Sequence, residues 1–284
     1  MKIGLICGGG RLPKDTAHAL LAKNTEFTVI RLAGEADTDL EISANIGSET
    51  IGWGQVGRFF DILKAENCTH VLAAGGVTKR PDFTAIKMDF GGLKMIPEIL
   101  RSVLGGDDQV LSNVAQMFEK RGFTVIGVLD AAPDLSCPQG LLVGSTPNDD
   151  TSTDIKLACK AAISAGILDM GQGAVAAHGR VIAMEGPEGT QNMLGRVADI
   201  KNTKRARWKK GQGVLVKLPK PNQDMRFDVP VIGPDTVTQA KQAGLAGIAV
   251  AAGQVLLLDK ALLLETAARE NIFIQGISAV EMGA

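Results

Sequence analysis

The chain has 284 residues, 45% of them apolar and 21% charged, with a formal net charge of −1. That composition excludes a disordered tail and a nucleic-acid binder that works by bulk positive charge, and the length suits two domains. Glycine is abundant at 34 residues while tyrosine is absent, a balance that favours close backbone approach to phosphates over stacking on bases.

The opening MKIGLICGGG is too short an apolar run for a signal peptide. It reads instead as a strand over 3–7, a glycine turn, and a helix over 13–23. A strand over 27–32, a helix over 56–66 and a strand over 70–74 follow. A helix over 108–121 then leads into a strand over 124–129. Strands alternating with helices predict a parallel sheet covered on both faces, so the fold class is α/β with a Rossmann-like domain over 1–130. Pro133, Pro138, Pro147 and a polar cluster mark 131–150 as a linker. A second α/β domain, 151–284, begins with a helix over 153–165. Strands over 173–177 and 180–184 are joined by a His178-Gly179 turn. A helix over 190–200, a strand over 214–218 and an αββα-like passage from 236 complete it. The longest apolar stretch, 245–258, is broken by glycines and falls short of the ~18 residues of a membrane span.

Several signatures are missing. The four cysteines, at 7, 68, 137 and 159, have no CxxC spacing, which points to reduced thiols in a cytoplasmic setting. His18, His70 and His178 have no ligand spacing, which argues against a histidine-rich dinuclear site and a zinc hydrolase of the HExxH kind; a catalytic metal would be Mg²⁺ or Mn²⁺ on oxygen ligands. Neither a G-x-S-x-G elbow nor a P-loop occurs.

Among the motifs present, Gly8, Gly9 and Gly10 sit where phosphate-binding loops sit, between a strand and a helix. Pro13 occupies the last glycine of the dinucleotide fingerprint, and no acid ends the second strand, which argues against a nicotinamide cofactor. Asp107 and Asp108 read either as a helix cap or as a carboxylate pair aimed at a divalent cation. The turn Gly171-Gln172-Gly173 precedes a strand. The turn from Glu185 through Glu188 and Gly189 to Thr190 could receive a pyrophosphate at a helix N-terminus. The run 201–210 carries six cations and Trp208. It is either a solvated helix face or a contact for anionic head groups, with Trp208 at the interface.

The segment 217–234, KLPKPNQDMRFDVPVIGP, holds four of the eleven prolines and is expected to be extended. Alternation would then put Asp224, Arg226 and Asp228 on one face, near Lys217, Lys220 and Gln223, with Met225, Phe227 and Val229 turned to the core. Arg and Lys clamp phosphoryl oxygens, and a carboxylate binds metal or orients water. Residues four apart in a strand are about 13 Å apart, too far to chelate one ion. One acid is therefore expected in the chemistry and the other beside Arg226.

Taken in order, GLICGGGRLP, AAGGVTKRPDF, GDD, GQGAV, EGT and KPNQDMRFDVPVIGPDT resemble the UDP-2,3-diacylglucosamine pyrophosphatase family of lipid A biosynthesis, the type unrelated to calcineurin-like phosphoesterases. The resemblance implies Mg²⁺-dependent hydrolysis of that substrate to UMP and 2,3-diacylglucosamine 1-phosphate (lipid X). It also implies two domains flanking a cleft, a homodimer and peripheral contact with the inner membrane. Asp228, Asp224, Arg226, Lys217 and Lys220 are the expected catalytic set, with Asp228 the more specific acid. Asp228, Asp107 and Asp108 are the expected metal ligands. Gln172, Gly173, Glu188, Gly189, Thr190 and Gln223 would line the substrate groove, with Gly8, Gly9, Gly10, Leu12 and Pro13 from the first domain. Gly76 stands where the family pattern has a polar Asn. The competing readings are a nucleotide-cofactor oxidoreductase and a non-enzymatic lipid or nucleotide sensor. The first would bind nicotinamide, and the second would bind ligand without turnover.

Overall fold

A computed structural model of the chain describes residues 1–36, 46–77, 89, 107–209, 211–221 and 223–282, with backbone alone at 107–110. The chain divides into two compact units. One is Met1–Pro133 with Asp224–Asp228, and the other is Asp134–Gln223 with Val229–Ala284.

The first unit is built on a five-stranded sheet. Its strands are β1 (Lys2–Cys7), β2 (Glu26–Leu32), β3 (Ser48–Ile51), β4 (His70–Ala74) and β5 (Thr124–Ile126). All pairings are parallel and the order is β3-β2-β1-β4-β5. The central β1 is apolar through Ile3, Leu5, Ile6 and Cys7 because both its faces are covered. Phe59, Phe60, Phe118 and Phe123 form an aromatic cluster between the helices Val56–Ala65 and Asp107–Glu119 and the sheet, with edge-on and tilted rings.

Strand order reverses between β1 and β4, the place where open α/β sheets usually take ligand. Here the two glycine turns zip together: Gly9 and Gly76 exchange both backbone hydrogen bonds, at 2.8 and 2.9 Å, and Gly8 N–H donates to Ala74 O. A Cβ on Gly8 would stand 2.5 Å from Gly76 O, so packing of backbone on backbone already requires glycine there. Gly76 itself has open space at its Cβ position, and crowding does not impose glycine at that point.

The second unit has a six-stranded mixed sheet in the order β6-β13-β11-β9-β7-β8. Its strands are β6 (Gly140–Val143), β7 (Gly173–Ala177), β8 (Arg180–Met184), β9 (Val214–Lys217), β11 (Gly247–Ala251) and β13 (Phe273–Ile277), while β10 (Val231–Ile232) and β12 (Leu256–Leu257) pair separately. Strands β9, β11 and β13 are parallel, with β6 antiparallel at one edge and the β7–β8 hairpin antiparallel at the other. The stretch 131–150, expected as linker, thus contains a sheet strand. Its proline and glycine punctuation hides a four-residue edge strand that β13 recruits by pairing Gln275 with Leu141.

Helix Asp149–Ile167 starts at Asn148, whose Oδ1 accepts Thr151 N–H at 2.9 Å, and buries an alanine-rich face that lets it lie close to the sheet. The buried Asp154 carboxylate accepts the N–H groups of His178 and Gly179 and holds the hairpin turn, where His178 has φ 54°. All four cysteines are free and buried. Burial pushes the Cys7 and Cys159 thiols up to about 12 and Cys137 up to about 11, so none of these three is a thiolate at neutral pH.

Candidate active site

In the second unit, polar side chains gather at the C-terminal end of β9. Its last residue, Lys217, pairs with Gly173, the first residue of β7. On the other side of Gly173, Glu185 follows β8 and donates its N–H to Gly173 O at 2.8 Å. Residues opposite one another on neighbouring strands share a face, so Lys217 and Glu185 flank a position with no side chain. A Cβ on Gly173 would stand 2.5 Å from Glu185 Oε2, which occupies that space.

Thr190, in the first turn of helix Gly189–Asn202, closes the group. Lys217 Nζ donates to Thr190 Oγ1 at 2.9 Å, and Thr190 Oγ1 donates to Glu185 Oε1 at 2.9 Å. Lys217 is 7% exposed and Glu185 6%. Glu185 Oε2 is buried and has no hydrogen-bond partner among the described residues.

The loop after β9 is held beside this group. Leu218 N–H donates to Gln172 O, Gln223 Nε2 to Gln172 Oε1 at 3.2 Å, and Lys220 N–H to Gln223 Oε1 at 2.8 Å. Lys220 Nζ pairs with Asp169 at 2.7 Å. Gly166 admits Pro221 against the helix, since a Cβ there would come to 3.0 Å of its ring. The structure thus brings together Lys217, Lys220, Gln172, Gly173, Thr190 and Gln223. Glu188 is not part of the group. It is exposed and pairs with Arg196, and its own backbone N–H, then Arg196, hold its carboxyl below the usual range. The residue that sequence reasoning missed is Glu185.

The segment Asp224–Asp228 belongs to the first unit and is a turn, not the expected extended strand. Asp224 Oδ1 accepts Arg226 N–H at 3.1 Å, and Asp224 O accepts the N–H groups of Phe227 and Asp228 at 3.0 Å. Aspartate folds the chain back on itself this way, and the alternation read from the sequence is lost. Phe227 packs against the aromatic cluster, and the turn lies so close to Gly127 that a Cβ there would meet Met225 O at 2.8 Å.

Arg226, expected to clamp phosphoryl oxygens, donates Nε and Nη2 to the two oxygens of Asp224 and Nη1 to Glu119, at 2.8–2.9 Å. Those hydrogen bonds hold the Asp224 carboxyl below its ordinary range against an opposing desolvation, and they raise the guanidinium's pKa. Asp224 is therefore the acid beside Arg226. Asp228 ends the turn, half-buried.

Gly8 and Gly9 are engaged in the backbone zipper, while Leu12 and Pro13 open helix Leu12–Ala22 and Gly10 has φ 86°. Asp107 and Asp108 begin helix Asp107–Glu119, with side chains outside the described residues, as is Lys210. Trp208, expected at a membrane interface, is only 8% exposed. Its ring packs into the second unit's core with Lys201 Nζ 5.2 Å from its centroid, while Lys204, Arg205, Arg207 and Lys209 are exposed. Among the described residues no three His, Cys, Asp or Glu converge as a metal cluster, and no helix is long and apolar enough to cross a membrane.

Comparison with known proteins matches the LpxI N-terminal domain over residues 2–135 and the LpxI C-terminal domain over 138–275. A UDP-2,3-diacylglucosamine pyrophosphatase LpxI from Caulobacter vibrioides is 40% identical over 280 residues, 99% of each chain. A solved UDP-glucose 4-epimerase from Thermus thermophilus, in complex with NAD, overlaps 52% of this chain and 41% of its own at 12% identity and a TM-score of 0.28. With both domain families matched in order and identity running from end to end, the chain belongs to the LpxI family.

Proposed function

We infer that this chain is a UDP-2,3-diacylglucosamine pyrophosphatase of lipid A biosynthesis. We propose that it uses Mg²⁺ to hydrolyse the diphosphate to UMP and 2,3-diacylglucosamine 1-phosphate. The observation that carries this reading is the 40% identity over 99% of both chains.

Mg²⁺ takes oxygen ligands, keeps several waters, and is held by one or two carboxylates together with substrate phosphates. The donor chemistry suits such a shared ion, because Asp228 is a half-buried oxygen-donor acid. Asp228 would hold the ion, with Asp107 and Asp108 as the other candidate ligands. When bound, Mg²⁺ offsets negative charge on the phosphoryl oxygens.

Within this reading Asp228 also orients the attacking water. Lys217 and Lys220 neutralise the diphosphate as point charges, each fixed by a hydrogen-bond partner. Arg226 acts by holding the turn that ends in Asp228 rather than by touching phosphate. Contact with the inner membrane is assigned to the turn at 167–170, where Ile167, Leu168 and Met170 are 68%, 69% and 45% exposed, rather than to Trp208. The homodimer implied by the family resemblance is part of the same reading and is checked by light scattering.

Purified protein incubated with UDP-2,3-diacylglucosamine and Mg²⁺ should release UMP, and EDTA should stop it. No UMP under any metal condition would reject the activity, and undiminished release in EDTA would reject the metal. Water attacks the sugar-side phosphorus in this scheme, so hydrolysis in ¹⁸O-water should label the sugar phosphate and leave UMP unlabelled. Label in UMP would move the attack to the uridine side.

A further inference from the structure

We propose that Glu185 and Thr190 are positioning residues that fix the direction in which Lys217 presents its ammonium group. The inference rests on the role given to Lys217 above. A carboxylate accepts hydrogen bonds and does not donate them, so Thr190 must use its one proton on Glu185 Oε1. The Thr190 oxygen is then left with lone pairs only, and it accepts from Lys217 Nζ. Glu185, which only accepts, and the Lys217 ammonium, which only donates, together set the polarity of the chain. One of the three ammonium donors is committed to Thr190, and the directions of the other two follow from tetrahedral geometry at the nitrogen.

Two further observations separate this from ordinary packing. Glu185 is 6% exposed, yet its Oε2 has no hydrogen-bond partner among the described residues. A buried acceptor without a donor works against stability, so the acid is not explained by stability alone. The glycine at 173 points the same way. It sits between Lys217 and Glu185 on adjacent strands, and any larger residue would drive its Cβ into Glu185 Oε2. The group stands at the C-terminal end of parallel strands, the edge at which α/β sheets bring side chains to a ligand.

The test measures kcat and KM on the lipid substrate for Thr190→Val, Thr190→Ser, Glu185→Gln and Lys217→Met, with a thermal melt for each. Thr190→Val removes the hydroxyl at nearly constant shape and should lower kcat/KM at least tenfold at a temperature where the variant is fully folded, with a lower melt because Glu185 Oε1 loses its donor. Thr190→Ser restores the hydroxyl and should keep half or more of the activity. Glu185→Gln can turn an amide N–H toward Thr190 Oγ1, where it competes with Lys217 Nζ for the oxygen's lone pairs, and should fall with Thr190→Val. In ¹⁵N-lysine spectra the Lys217 ammonium signal, protected in the parent, should exchange faster in both. If Lys217→Met is inactive while Thr190→Val and Glu185→Gln match the parent, Lys217 keeps its role and the positioning inference is wrong. If Lys217→Met retains full turnover, both fail. Should Glu185→Gln not fold, the Thr190→Val and Thr190→Ser pair decides: equal loss in the two would overturn the inference.

Discussion

Arg226 and Glu185 each anchor a small polar cluster, one in each unit, and the two clusters are satisfied to different degrees. Arg226 places Nε and Nη2 on Asp224 and Nη1 on Glu119, and both Asp224 oxygens are used. Glu185 uses one oxygen and buries the other without a hydrogen-bond partner among the described residues. A fully paired network rigidifies its surroundings and can be accounted for by folding alone. A half-satisfied one is costly to the fold and asks for another explanation. The Arg226 cluster holds the Asp224–Asp228 turn on the first unit, and the proposal above gives the Glu185 cluster its role toward substrate.

The largest effect expected is at the end of the scaffolded turn. Asp228→Ala should cut turnover by orders of magnitude while leaving the melt unchanged, because a carboxylate that holds metal or orients water acts mainly in the transition state. Asp224→Ala should hurt less. The opposite ranking in a kinetic assay would make Asp224 the chemical acid and remove the scaffold reading of its pair.

Gly173→Ala sharpens the other side of the contrast. It adds no functional group, and its Cβ would press on the end of a flexible carboxylate rather than on backbone. Turnover should fall roughly tenfold with little change in stability, in keeping with a reacting geometry disturbed from beside it. Normal kinetics together with a crystal structure showing Glu185 displaced would mean that the carboxylate's position does not matter.

Arg226→Ala should behave in the reverse manner, as a stability variant. The pair with Asp224 is partly buried, and its loss should cost on the order of 1–2 kcal/mol. The pH dependence follows from Asp224. Its folded pKa is depressed, so the stabilisation is fully present above the ordinary carboxylate value and is lost as pH falls through the lowered folded value. Melts recorded from pH 6 downward should show the parent losing this increment and Arg226→Ala lacking it. Parallel curves would show that the pair contributes nothing.

The smallest effect concerns the exposed apolar turn. Replacing Ile167, Leu168 and Met170 together by serine should weaken liposome association several-fold, since shallow insertion at the interface buries only a small part of each side chain. Activity on lipid substrate presented in vesicles should drop with it. Unchanged vesicle binding would return the contact to the exposed cations at 204–209.

Much of the fold was legible because hydrophobic period and punctuation are local properties. The run from Ile3 to Cys7 followed by three glycines can hardly be anything but a buried strand and a turn, and β1 is there. The hairpin around His178-Gly179 was equally plain. The run 201–210 was not, because composition says a tryptophan is present but not that Lys201 covers it and the core takes it. Nor was 224–228, where prolines on either side suggested extension while Asp224 used its own side chain and carbonyl to close a turn.

Glu185 shows most directly where the sequence stops. Its hairpin pairs Ala177 with Arg180 and Ala176 with Val181, and counting on from there would set Met184 opposite Gly173. An irregularity at Val175/Ala176 shifts the register by one, so Val175 meets Ala183 and Ala174 meets Met184, which brings Glu185 to Gly173. A one-residue slip changes which side chain arrives at a given place on a sheet, and a bulge of this kind leaves little trace in hydrophobic pattern. Sequence alone determined the two α/β units, the family and the presence of lysines and acids suited to a diphosphate. Which acid lies beside Lys217 was decided by that extra residue, through pairings among β7, β8 and β9 that form only when the sheet does.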